Sequence, residues 1–125
     1  MSVLAFFAAC VAGGVGAGLR VFADGLIRTF ARTRLPTATI LINLTGSVTL
    51  GLITGLADAH ILSGVWRLIL GGGLLGGYTT FSTASYETVR LLQQRQWLVG
   101  TTNAIGVLII AVAGAASGYA IGLSL

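Results

Sequence analysis

Gly-Gly-Gly-Leu-Leu-Gly-Gly-Tyr-Thr-Thr-Phe-Ser-Thr-Ala-Ser-Tyr-Glu is the sequence of residues 71–87, in which five glycines precede a run of hydroxyl residues. The stretch lies inside a long apolar region, where a continuous membrane helix would be expected. Glycine in a helix interior costs about 1 kcal/mol relative to alanine, and Ser and Thr side chains compete with the helix for backbone groups. The stretch therefore predicts a break in the helix near residues 76–80.

A helix break inside a membrane constrains everything around it. The N–H and C=O groups that the break releases need partners, so such a segment is tolerated only where protein surrounds it or a wet cavity adjoins it. One chain of this size offers too few partners. We therefore expect at least a dimer around the break, with an ion or a polar solute in it.

Composition assigns the chain to the membrane and argues against two functional classes. The 125 residues are 55% hydrophobic and 8% charged, whereas soluble domains carry about 25% charged residues. One His, one Cys and three acids leave no material for an ordinary catalytic site, so we expect no enzyme. The seven arginines lie at segment ends rather than in one patch, which argues against nucleic-acid binding.

Four segments are long and apolar enough to span a bilayer, which takes about 20 residues. They cover residues 3–19, closing on Arg20, then 38–57, 66–92 with the break inside, and 98–123. The expected fold is all-α, with residues 1–125 forming a single four-helix transmembrane domain. Glycines four residues apart predict close helix packing; these are Gly14 and Gly18, Gly51 and Gly55, and Gly114, Gly118 and Gly122.

Arginines are distributed unevenly between the two sides of this arrangement. Five lie in the loops that contain Arg28–Arg34 and Arg90–Arg95, against Arg67 alone on the other side. Arginine-rich loops face the cytoplasm in most membrane proteins. We therefore expect these two loops in the cytoplasm, with both termini outside.

Polar residues inside the apolar segments are candidates for an ion path. Asn43 lies near the middle of the second span, where it could either join two helices by a hydrogen bond or line a pathway. Carbonyls at the end of the first half of a broken helix suit a small cation, and the free N–H groups of the second half suit an anion. Ser82 and Thr83 could donate to that anion. Phe81 could offer its positive ring edge or simply pack.

Glu87 is the only acid within a predicted span, and it lies toward one end. The simplest expectation is a carboxylate that caps the helix or forms an ion pair with Arg90.

Three stretches together resemble the signatures of the CrcB/Fluc family of fluoride channels. They are Gly-Gly-Val-Gly-Ala-Gly-Leu-Arg at 13–20, Pro-Thr-Ala-Thr-Ile-Leu-Ile-Asn-Leu-Thr-Gly at 36–46, and Gly-Leu-Leu-Gly-Gly-Tyr-Thr-Thr-Phe-Ser-Thr at 73–83. The resemblance covers nearly the whole chain.

This resemblance implies an antiparallel, dual-topology dimer of four-helix subunits with two fluoride pores, each lined by both chains. It also implies a structural Na⁺ at the dimer centre, held by the backbone carbonyls of Gly76 and Thr79 from both copies. The residues that match the family's fluoride path are Arg20, Thr39, Asn43, Thr80, Phe81, Ser82 and Thr83.

The chain departs from the family pattern at three places. The second phenylalanine of the Thr-Phe-Ser-Thr-Phe-Ser signature is replaced by Ala84. The Pro-x-Gly-Thr of the second helix reads Pro-Thr-Ala-Thr at 36–39, and residues 106–113, where the family usually offers a Ser or Tyr, are apolar. The sodium motif is thus intact, whereas the anion path has fewer aromatic and polar lining residues than the family pattern.

The leading functional hypothesis is a fluoride-selective channel that exports fluoride from the cytoplasm by passive permeation and so lowers its toxicity. One alternative is a small dual-topology drug or cation antiporter, but such exporters use a glutamate in the first helix, and here no acid precedes Asp24. Another is a weakly conducting subunit of a heterodimeric fluoride channel. The arginine asymmetry and Ala84 favour a partner that is an oppositely oriented paralogue rather than a second copy.

Phe81→Ile tests the aromatic part of the implied path. An aliphatic side chain of similar bulk lacks the positive ring edge, so fluoride flux should be abolished while the dimer stays intact. Fluoride efflux from liposomes and the elution volume of the purified protein measure the two properties. Wild-type flux in this variant would show that Phe81 only packs.

Overall fold

The computed structural model describes residues 2–30 and 37–125, and for residues 81–83 it describes the backbone alone. All regular structure in these ranges is helical. The elements are α1 (Val3–Phe30), α2 (Thr37–Asp58), α3 (Gly64–Arg67), a π-helical stretch (Leu68–Leu75), α4 (Gly76–Tyr78), α5 (Phe81–Gln93) and α6 (Trp97–Ser124). Arg32, Arg34 and Pro36 lie outside the described residues.

Three described helices, α1, α2 and α6, are long and apolar enough to cross a membrane. The all-α membrane class is therefore confirmed. The third predicted span does not count among them because it is divided into two shorter parts, residues 64–78 and α5.

The break lies at the end of the interval predicted for it. Residues 64–78 form one helical run, and Thr79 then adopts an extended backbone with φ −80° and ψ 159°. The glycines at 71–73 remain helical but take the wider π form, in which the Gly76 N–H bonds to the Gly71 carbonyl. π-helical turns within a helix frequently mark functional sites.

Helix α1 is longer than predicted, because it continues beyond Arg20 to Phe30. Asp24 and Arg28 support this extension through an ion pair one turn apart, with 2.9 Å between Oδ2 and Nε. The predicted end at residue 19 was wrong, since hydropathy detects where the apolar stretch stops and a helix can continue into polar sequence.

Close contact between α2 and α6 explains the glycines of both helices. A Cβ on Gly118 would lie 2.0 Å from the Val48 carbonyl oxygen, and one on Gly51 would lie 2.1 Å from the Ala115 carbonyl oxygen. The absence of a side chain lets the two backbones meet. The close packing predicted for these two spans is confirmed.

The glycine pair predicted for α1 makes no close contact with another helix among the described residues. A Cβ on Gly14 or Gly18 would meet nothing within 4 Å. Contact with residues 64–78 is made instead at Gly13 and Gly16, where a Cβ on Gly16 would lie 1.9 Å from the Leu74 carbonyl oxygen. In the described part of the chain, the face of α1 that carries Gly14 and Gly18 is therefore open.

Gly118→Ala should destabilise the protein, because its Cβ can only be placed by moving α2 away from α6. Overpacking of this kind costs about 1–3 kcal/mol. Gly106→Ala is the matched control on the same helix, since a Cβ there meets nothing within 4 Å. The measurement is the temperature at which each purified variant loses its single elution peak; equal temperatures for the two variants would contradict the packing argument.

Candidate ion path at the helix break

Asn43 of α2 holds the break by two hydrogen bonds to one residue. Its Nδ2 donates to the Thr80 carbonyl and its Oδ1 accepts from the Thr80 N–H, both at 3.0 Å. Asn43 is buried, so these bonds satisfy the Thr80 N–H and C=O away from water. The sequence left two roles open for Asn43, a structural hydrogen bond or the lining of a pathway. The bonds to Thr80 show that Asn43 has the structural role.

Gly46, one turn beyond Asn43, allows α2 to approach the break. A Cβ at this position would lie 2.2 Å from Thr79 Cγ2 and 3.3 Å from Tyr78 Cδ2. Thr79 is fixed in turn, because its N–H and its hydroxyl both donate to the Leu75 carbonyl at 2.9 Å. The break is thus held from α2 on one side and from its own preceding turn on the other.

A cavity of about 180 Å³, hereafter the smaller cavity, lies on one side of the break. It brings together Arg20, Thr39 and Thr80, three of the predicted path residues. Asp24 and Arg28 also line it and neutralise each other in their ion pair. Arg20 has no ion pair in the described part of the chain, so it brings a positive charge to the wall of this cavity.

A second cavity of about 460 Å³, hereafter the larger cavity, lies between α2, the break, α5 and α6. Most of its wall is apolar, and its polar lining comes from Asn43, Ser47, Thr79, Thr80, Ser85 and Thr88. Thr80 lines both cavities. The hydrogen-bonded pair of Asn43 and Thr80 therefore forms part of the partition between them.

Glu87 does not form the ion pair expected with Arg90 in the described chain. Its Oε1 accepts a hydrogen bond of 2.5 Å from the Thr39 hydroxyl, and Thr39 is buried on α2. The two residues are 48 positions apart, so sequence spacing could not reveal the contact. Glu87 thereby connects α5 to the wall of the smaller cavity.

Asn103 is a buried polar residue that sequence reasoning missed. Its side-chain Nδ2 donates to Thr88 Oγ1 at 2.7 Å, while its Oδ1 is buried and has no hydrogen-bond partner in the described chain. Residues 106–113 of the last span are wholly apolar and give no sign of a polar contact. The available signal lay one turn earlier, in the Thr-Thr-Asn at 101–103 of an otherwise apolar segment.

Comparison with known proteins decides the family. The sequence model described as CrcB-like protein, Camphor Resistance (CrcB), matches residues 7–119. The chain belongs to the CrcB family.

Relatives of this CrcB protein match over nearly their whole length. It is 48% identical over 122 residues to the fluoride-specific ion channel FluC 1 of Leifsonia xyli subsp. xyli, covering 98% of this chain and 89% of that protein. It is 36% identical over 119 residues to FluC 3 of Bifidobacterium longum, covering 95% and 98%. It is 36% identical over 128 residues to FluC of Coxiella burnetii, covering 100% of both.

Three of the path residues predicted for this CrcB protein begin α5. The backbone of Phe81, Ser82 and Thr83 forms the first turn of that helix, as expected for the start of a second half-helix. Their side chains lie outside what the structure describes, so their part in the path stays a prediction.

Gly76 and Thr79, the predicted sodium ligands, lie where the helical run ends, and their role stays a prediction. In a continuous helix the Thr80 N–H would donate to the Gly76 carbonyl, but here it donates to Asn43 Oδ1. The Gly76 and Thr79 carbonyls therefore lie at the end of the helical run, and carbonyl oxygens suit small hard cations. The described residues contain no cluster of three His, Cys, Asp or Glu that could hold a metal instead.

Asn43→Leu should destabilise the break in this CrcB protein, because it removes the two buried hydrogen bonds that Asn43 makes to the Thr80 N–H and C=O. Each unsatisfied buried group costs about 1–3 kcal/mol. Thr49→Val is the control on the same helix, since the Thr49 hydroxyl bonds only to its own backbone, at Thr45. Thermal unfolding of the purified protein compares them, and an unfolding temperature for Asn43→Leu no lower than that of the control would refute the clamp.

Proposed function

We propose that this protein is a fluoride channel that lets fluoride leave the bacterial cytoplasm by passive permeation. The observation that carries the proposal is a helix break, held at Thr80 by Asn43, with a cavity on each side of it. Irregular backbone in an apolar bundle is tolerated where it lines an ion pathway. Family membership and relatives named fluoride-specific ion channels support fluoride as the ion.

The mechanism begins with the unpaired charge of Arg20, which attracts an anion into the smaller cavity. Fluoride keeps its water tightly, so each water it loses must be replaced by a donor from the protein. The second amide hydrogen of Asn43 is available near Thr80, whereas the Thr39 hydroxyl already donates to Glu87 Oε1 and would have to leave that bond to serve fluoride. Beyond the break we assign donation to Ser82 and Thr83 and a ring-edge contact to Phe81.

The assembly we propose is an antiparallel dimer of chains that each cross the membrane four times. In each chain, residues 64–78 and α5 together make the third crossing. The open face at Gly14 and Gly18 supports a second chain, because small residues let helices approach in lipid.

A sodium ion fits this proposed dimer as a structural group. The carbonyls of Gly76 and Thr79 from each chain would hold it, so that it supplies a fixed positive charge between the two breaks. Two carbonyls from one chain are too few for a closed cation site, which is why the site needs both chains.

The partner we propose is an oppositely oriented paralogue. Loops with Arg28–Arg34 and Arg90–Arg95 on one side, against Arg67 on the other, favour one orientation in the inner membrane, with the two arginine-rich loops in the cytoplasm. Several relatives carry numbered names, FluC 1, FluC 2 and FluC 3, as expected where one organism has more than one such channel.

Fluoride resistance of a fluoride-sensitive bacterium tests function and partner together. We expect weak rescue by this gene alone and full rescue when a paralogue with the opposite arginine bias is co-expressed. Full rescue by this gene alone, with cysteine labelling in both orientations, would refute the paralogue. Absence of fluoride efflux from liposomes that contain the pair would refute the channel, and dependence of efflux on a proton gradient would indicate an exchanger.

A further inference from the structure

Asn103 is the most completely buried polar side chain among the described residues, at 1% exposure. It lies on α6, in a segment otherwise rich in apolar residues. Polar side chains inside membrane helices are costly and commonly face a pathway or a polar partner. Here the partner is Thr88 of α5, whose Oγ1 accepts from Asn103 Nδ2 at 2.7 Å.

The contribution of Asn103 to folding is small or unfavourable. Its amide gains one hydrogen bond, worth about 1 kcal/mol net. Its buried Oδ1 has no partner in the described chain, and an unsatisfied buried acceptor costs about 1–3 kcal/mol. A leucine of similar size would avoid that cost, so helix stability alone does not explain this residue.

Thr88 differs from three threonines of α2. The hydroxyls of Thr45, Thr49 and Thr54 each donate to the backbone carbonyl four residues earlier. The Thr88 hydroxyl makes no such bond in the described chain and instead accepts from Asn103. Its own proton therefore remains available, and a hydroxyl that accepts one hydrogen bond becomes a better donor for the next.

That proton is available at the wall of the larger cavity, which Thr88 lines together with Asn43 and Ala84. Ala84 offers an anion no ring edge and no hydrogen-bond donor. We propose that Asn103 is a positioning residue, which holds the Thr88 hydroxyl so that its proton stabilises fluoride in the larger cavity. This inference rests on the proposed function, because it assigns one more donor to the same path.

Four variants test whether Asn103 positions the Thr88 hydroxyl. Each is reconstituted in liposomes as the whole protein, together with its paralogue where flux requires it. The rate per active channel should fall about fivefold or more in Asn103→Leu and in Thr88→Val, the scale of one lost hydrogen bond. The double variant should lose no more than Thr88→Val alone, because both changes remove the same donor. Thr88→Ser should keep most of the rate, since it retains the hydroxyl.

The rate per active channel is measured separately from the fraction of liposomes that contain one, because a purely structural role would lower only that fraction. Ser117→Ala is the control on α6, since the exposed Ser117 hydroxyl bonds only to its own backbone at Ala113. Wild-type rates in Asn103→Leu and Thr88→Val, or losses that multiply in the double variant, would overturn the inference.

Two further outcomes are also decisive. If Asn103→Leu does not assemble, Thr88→Val and Thr88→Ser decide alone, and equal rates for these two overturn the assignment. A wild-type protein without fluoride flux overturns the proposed function and this inference with it, whereas flux that ignores both positions overturns the inference only.

Discussion

The pair of hydrogen bonds between Asn43 and Thr80 is the interaction on which the rest of the structure depends. A backbone N–H or C=O without a partner costs several kcal/mol in hydrocarbon, and these bonds give both backbone groups of Thr80 a buried partner outside the helix. The bonds require α2 to lie against the break, which the missing side chain of Gly46 permits. Helix α6 then lies against α2 through its own glycines, and the two cavities occupy the space left around the break.

The parts of the fold that sequence predicted are those encoded by local composition. Glycines and hydroxyls at 71–83 predicted the break, and glycines at four-residue spacing predicted the contact between α2 and α6. Sequence could not assign Asn43, because an asparagine in mid-span suits both a helix contact and a pathway. Only the position of Thr80, 37 residues away, shows that the side chain holds the broken backbone.

The features that sequence reasoning missed depend on neighbours distant in the chain or on helix continuation. The partner of Glu87 is Thr39 on another helix, whereas the local pattern pointed to Arg90. Arg20 was taken as the end of a helix that continues to Phe30, because a charged residue ends an apolar stretch without ending the helix. Asn103 went unnoticed because its burial depends on how α5 lies against α6.

The hydrogen bonds of Asn43 also limit how long an ion can stay beside it. One of its two amide hydrogens is already donated to Thr80, and its oxygen is occupied by the Thr80 N–H. An anion that reaches this point therefore finds a single amide hydrogen rather than a closed ring of donors. Since conduction requires sites that release their ions readily, the bonds that stabilise the break would also keep the dwell time of an ion short in the path proposed here.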